Sequence, residues 1–140
     1  MKTFLQLPSA LIVLLIVAGC NEAGVQLVET TGSVQYEGKP LENATITFQP
    51  QGGLPAIGQS DASGNFQLKT RGDLGVSPGP AKVAITAVEV IDGGKEDPDV
   101  ETVTKTRSLI PEKYSNLQSS GLTANVEAGG ESHFDFKLTK

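Results

Sequence analysis

His133 is the single histidine in 140 residues, so an imidazole base, if the chain uses one, must be this one. Its neighbours Ser132 and Phe134 alternate in polarity around it, which puts His133 on one face of a strand. A lone imidazole so placed reads first as a surface residue. A Ser-His-Asp arrangement is assembled in space, but no G-x-S-x-G motif accompanies this histidine. Asp61, Ser63 and Asn65 stand at alternate positions, as oxygen donors do at the start of an EF-hand loop. Gly64 then falls at the fourth loop position instead of the sixth, and Gly72 takes the twelfth, where the loop needs Glu. The run therefore reads as a turn. The acidic group Glu96, Asp97, Asp99 and Glu101 sits in a polar stretch with Gly and Pro, and reads as a solvated loop. Neither group predicts a metal site, and the expected catalytic and cofactor-binding residues are none.

The residue with a definite chemical future is Cys20, the chain's one cysteine. Lys2 precedes a continuous apolar run from Ala10 to Ala18, which ends in small residues at Ala18 and Gly19. This is the charged, apolar and small-residue order of a secretory signal. The run is shorter than the roughly 20 residues of an ordinary bilayer span. Ile16-Val17-Ala18-Gly19-Cys20 resembles the bacterial lipobox, with Val17 where that pattern most often has Leu. The resemblance implies cleavage before Cys20, diacylation of its sulfur and acylation of the new amino terminus. Two or more acyl chains anchor a protein stably where one is marginal. Residues 1–19 thus form the expected lipoprotein signal peptide, 20–24 a lipidated tether, and 25–140 a folded domain. Asn21 follows the cysteine instead of the Asp that retains enterobacterial lipoproteins at the inner membrane. That similarity favours the outer membrane within a cell-envelope location.

Charge narrows the partners. The formal net charge is -5, and it becomes -6 without residues 1–19, whose one charged residue is Lys2. No cluster of Lys and Arg offers phosphate neutralisation, so a nucleic-acid partner is excluded. With one cysteine, no disulfide forms within the monomer.

The elements that must carry these residues are short strands. Sixteen Gly and eight Pro imply many turns, and with no Trp the core must rest on Val, Ile, Leu and five Phe. Gly32–Tyr36 and Ala44–Phe48 flank a turn with Gly38 and Pro40, and alternation directs Ala44, Ile46 and Phe48 to one face. This stretch reads as a hairpin. The first strand is expected over Val25–Tyr36 with an interruption near Thr30–Gly32. Ala56–Ser60 reads as a short strand, Asp61–Gly64 as a turn, and Asn65–Thr70 as a strand burying Phe66 and Leu68. Arg71–Pro80 reads as an irregular loop, and Lys82–Ile91 as a central strand whose buried face changes partway. Asp92–Ser120 is a long connection, of the kind that carries function. Gly121–Ala128 and Ser132–Thr139 read as a closing hairpin about Gly129-Gly130. The expected fold is all-β: a single seven-stranded sandwich.

Several phrases occur in a familiar order: Gly32-Ser33-Val34, Gly38-Lys39-Pro40-Leu41, Ala44-Thr45-Ile46-Thr47-Phe48, Asp61-Ala62-Ser63-Gly64-Asn65-Phe66 and Pro78-Gly79-Pro80-Ala81-Lys82-Val83. They resemble the carboxypeptidase regulatory-like domain, a transthyretin-like, Ig-like β-sandwich. Ala81 departs from the Tyr common there. The later phrase from Ile110 to Leu138 is similar to the tail of small planctomycete lipoproteins built on this domain. The resemblance implies a binding or structural module without catalytic residues. It also sets aside the transthyretin-like hydrolases, whose several His and Tyr-Arg-Gly-Ser tail this chain does not share. The expected function is a lipid-anchored, non-catalytic module of the cell envelope. It would touch the membrane through acyl chains on Cys20 and meet a protein or glycan partner, with a carbohydrate- or protein-ligand receptor subunit as the alternative and a hydrolase third.

Overall fold

The computed structural model describes residues 24, 26–91 and 105–140; Cys20, the signal segment and the acidic group at 96–101 lie outside them. Within the described residues the chain forms β1 (Thr30–Tyr36), β2 (Lys39–Pro40), β3 (Thr45–Pro50), β4 (Ala56–Gln59), β5 (Asn65–Gln67) and β6 (Lys69–Thr70). It continues through β7 (Asp73–Leu74), β8 (Gly79–Thr86), β9 (Val88–Ile91), β10 (Lys105–Ser108), β11 (Leu122–Val126) and β12 (Ser132–Leu138). One short 3-10 helix, Glu112–Ser115, lies between β10 and β11.

Two sheets enclose the core. In the first, β1 pairs with β12 in parallel, Thr30 opposite Ser132 through Tyr36 opposite Leu138, and its other edge is shared by β5 and β2. The second runs β11-β8-β3-β4-β6-β7. A separate ribbon, β9 with β10, continues beyond β8. The all-β sandwich follows from alternation: in β3 Ile46, Phe48 and Pro50 are buried at every second position, and in β8 Ala81, Val83 and Ile85 are, with Ala84 buried as well. Without Trp, the inter-sheet space is filled by phenylalanines. Phe48 of the second sheet meets Phe134 and Phe136 of the first at 5.6 and 6.0 Å between ring centroids, and Phe66 stacks on Phe136 at 6.2 Å. Each ring buried this way contributes on the order of 1.5–3 kcal/mol.

Glycine is required at position 32 of β1, between β12 and the Phe66 ring. A Cβ on Gly32 would collide with the Phe134 carbonyl and the Phe66 ring. Buried hydroxyls staple the connections instead of loose backbone. Ser60 Oγ donates to Leu41 O (2.6 Å) and accepts from Ala44 N (2.9 Å), and Ser120 Oγ donates to Val83 O (2.5 Å). Thr30 and Thr70 donate to Val28 O and Gly75 O, each at 2.8 Å.

Several connectivity expectations need correction. The strand count is twelve among the described residues and not seven, because two-residue strands form and the runs at 65–70 and 82–91 each divide. β1 and β3 do not form a hairpin: they lie in different sheets, and the turn residues between them add β2 to the first. β11 and β12 likewise separate, one to each sheet. Alternation reports which face of a strand is buried, and two arms facing each other across a core alternate as well as two arms of a hairpin. β1 begins at Thr30 and runs unbroken through Thr30–Gly32, where the sequence suggested an interruption. Arg71–Pro80 is not wholly irregular, since it holds β7 and the start of β8. The expected face change in 82–91 occurs at Ala87, after which Val88, Val90 and Ile91 are exposed.

The registers define two ends. At the near end lie residues 24 and 26–28, the 51–55 loop, the 71–78 connector and the β11–β12 turn. At the far end lie the turns after β1 and β4, the β9–β10 ribbon and the C-terminus.

Candidate functional site

The β1–β12 register brings the one histidine beside three oxygen-bearing side chains. Thr31 lies opposite His133 and Ser33 opposite Asp135. His133 Nδ1 is 3.1 Å from Thr31 Oγ1 and its Nε2 is 3.0 Å from Asp135 Oδ1. Ser33 Oγ donates to that same Oδ1 at 2.6 Å. This hydrogen bond, then the neighbouring His133, holds the Asp135 carboxyl below its usual range. Ser33 touches the carboxylate and not the ring, while Thr31 Oγ1 is the hydroxyl on the ring, at the nitrogen opposite the one facing Asp135. The His133 and Asp135 side chains are 60% and 58% exposed. Water competes for each contact, and the group serves as a polar ladder across the sheet surface.

Asp61 behaves as a turn residue. Its Oδ1 accepts from Ser63 N and Asn65 N, each at 2.9 Å, and Gly64 holds φ +80 where a Cβ would meet Val34 O at 2.5 Å. Among the described residues no group of three or more His, Cys, Asp or Glu is placed to hold a metal ion. Among them, too, no helix is long and apolar enough to cross a membrane.

The edge of the sandwich between β11 and β12 is partly closed. Ile110 and Tyr114 are buried there, and the Tyr114 hydroxyl donates to Thr139 O at 3.0 Å and accepts from Thr139 N at 3.3 Å. The Thr139 amide donating to the phenol oxygen lowers its pKa. Nearer the near end the same edge remains open as a groove. Its lining includes Phe134, Ala124 and Pro50 together with Gln49, Lys82 and Asn125. Its polar groups are partly engaged: Lys82 Nζ donates to Gln118 Oε1 at 3.1 Å, and Gln49 Nε2 to Gly53 O at 3.0 Å. Sequence reading missed both: the ladder depends on β12 pairing with a strand about a hundred residues away, and the groove gathers residues of β3, β8, β11 and β12. The far-end ribbon exposes Val88 and Val90 on one face, with the Glu89–Arg107 ion pair on the other.

No family model and no curated protein matches the chain. Among solved structures, a 9R-lipoxygenase from Cyanothece PCC8801 is similar over 82% of this chain at 19% identity, with a TM-score of 0.40. The chain spans 16% of that protein's length, so the functional reading rests on the residues above.

Proposed function

We propose that the chain is an exported lipoprotein, acylated at Cys20, that holds a non-catalytic β-sandwich at the surface of a cell-envelope membrane, with the outer membrane favoured. The observation that carries this reading is the run from Lys2 through Ala10–Ala18 to Cys20, placed eight residues ahead of Val28, where the first sandwich contact forms. Those eight residues reach at most about 28 Å. From Val28 to the far turn after Tyr36 is also about 26 Å of strand. The far end therefore faces away from the lipid unless the tether is fully extended and the domain inverted. Of the two segments expected to meet partners, 71–80 lies at the near end, and the described part of 92–120 begins at β10 in the far-end ribbon. The latter is the better partner surface. The exposure of the His133 ladder on the open sheet surface, outside any cleft that excludes water, supports a module without a catalytic role.

The same reading includes membership of the carboxypeptidase regulatory-like class. Its motif residues occupy positions of structural demand: Gly32 under Phe66, Gly64 in its positive-φ turn, Phe48 and Phe66 in the core. A second reading, a glycan-binding receptor subunit, is favoured by the groove at Phe134, where an aromatic ring lies among side-chain amides. Glycan arrays probed with residues 21–140 decide between them: binding that Phe134→Ala removes supports the receptor, and no binding supports the display module. The lipid anchor is tested by fatty-acid labelling, described below.

A further inference from the structure

Exposed leucines gather on one side of the near end. Leu54 is 40% exposed in the loop after β3, and Leu74 is 48% exposed on β7, at the sheet edge. Ile57, 53% exposed, shares a cross-strand row with Lys69 and Leu74, since Ile57 pairs with Lys69 and Lys69 with Leu74. Leu27 and Leu54 line one open cavity with Arg71 and Asp73. Among the described residues, Lys69 thus stands between Ile57 and Leu74 on one face of the sheet, and Arg71 and Asp73 stand with Leu27 and Leu54 at the cavity. The opposite edge of the same sheet ends in the β11–β12 turn, which carries Glu127 and Glu131. Glu29 precedes β1 on the other sheet.

We infer that the β4–β6–β7 edge is a lipid-contacting surface, on which the tethered domain leans against an anionic bilayer with Leu54, Ile57 and Leu74 in the headgroup region. Resting on the acylated-Cys20 reading, the inference adds a second, non-covalent membrane contact. Three features select lipid as the occupant. The chain outside the described residues ends at this face: Gly24 lines the cavity with Leu27 and Leu54, and Cys20 lies four residues before it. The apolar side chains are interspersed with cations, as at interfacial surfaces. The acidic turn lies on the far edge, so tilting toward β7 brings cations to the lipid and carries Glu127 and Glu131 away from it.

The test uses the full acylated protein in vesicles of phosphatidylcholine with phosphatidylglycerol. Because Cys20 is consumed by acylation, single variants Leu54→Cys, Leu74→Cys and the far-end control Ser63→Cys each give one reactive thiol for an environment-sensitive fluorophore. Flotation reports the anchor, and quenching by nitroxide-bearing lipids reports the contact. Expected are flotation of all three, with blue-shifted and quenched emission at 54 and 74, at a depth of about 5–10 Å or shallower, and neither effect at 63. Flotation with equal, weak quenching at 54, 74 and 63 overturns the leaning surface and leaves the anchor standing. Failure to float overturns both. Circular dichroism of each labelled variant confirms that the sandwich is retained, and Lys69→Glu with Arg71→Glu, both exposed, should reduce quenching at 54 and 74 without changing flotation.

Discussion

Val28 and Val76 exchange both of their backbone hydrogen bonds, Val28 N donating to Val76 O at 2.8 Å and Val76 N to Val28 O at 2.9 Å. Both side chains are buried. This isolated bridge clasps Val28, just ahead of β1, to the connector between β7 and β8, and so marks one end of the sandwich.

A chain beginning at Glu29 loses that clasp, and the Thr30 hydroxyl loses its acceptor. Relative to a chain beginning at Asn21, the expected cost is about 4–5 kcal/mol, from roughly 1 kcal/mol for each of the three hydrogen bonds and about 1.5 kcal/mol for the buried valine. Urea unfolding should show a lower midpoint at nearly the same slope. Equal midpoints would mean that the fold begins at β1 and that the tether is longer than argued above.

Ser60 joins the end of β4 to the segment that leads into β3. Ser60→Ala leaves the buried Ala44 amide without its side-chain acceptor and Leu41 O without its donor. The expected loss is about 1–3 kcal/mol. Ser63→Ala, in the exposed turn after β4, should change stability by no more than about 0.5 kcal/mol. Thermal denaturation that ranks the two the other way would contradict the staple.

Asp135 should titrate below the ordinary carboxyl value of 3.8, chiefly because Ser33 donates to it and then because of His133. A carboxyl with a depressed folded pKa stabilises the fold above its unfolded pKa, and that contribution is lost as pH falls through the folded pKa. The affected window therefore lies at and below 3.8, and neutral pH is untouched. Ser33→Ala should move the Asp135 midpoint upward in a carbon-detected NMR titration. An unmoved midpoint would show that Ser33 does not hold the carboxylate in solution.

Sequence alternation identified the buried residues well: Ala44, Ile46, Phe48, Phe66 and Leu68 all lie in the core. It did not identify partners. Gly129-Gly130 reads locally as a hairpin turn, yet the chain there crosses between sheets because Phe134 and Phe136 pack onto Phe48 from the opposite side. The DASG turn was legible because Asp61 makes its bonds within four residues. The His133 ladder was not, because its partners Thr31 and Ser33 arrive through a parallel pairing between the two ends of the domain. Cys20 lies outside the described residues, and its role was read from the apolar run before it.

The central claim is that Cys20 carries the lipid which holds this sandwich at a membrane. The direct test is metabolic labelling with radioactive palmitate of the full chain and of Cys20→Ala, expressed in a bacterium with lipoprotein-processing enzymes. The account predicts a labelled, membrane-bound and shortened wild-type protein, and an unlabelled variant that is unprocessed or soluble. Equal labelling of the two, or no label on either, would contradict it.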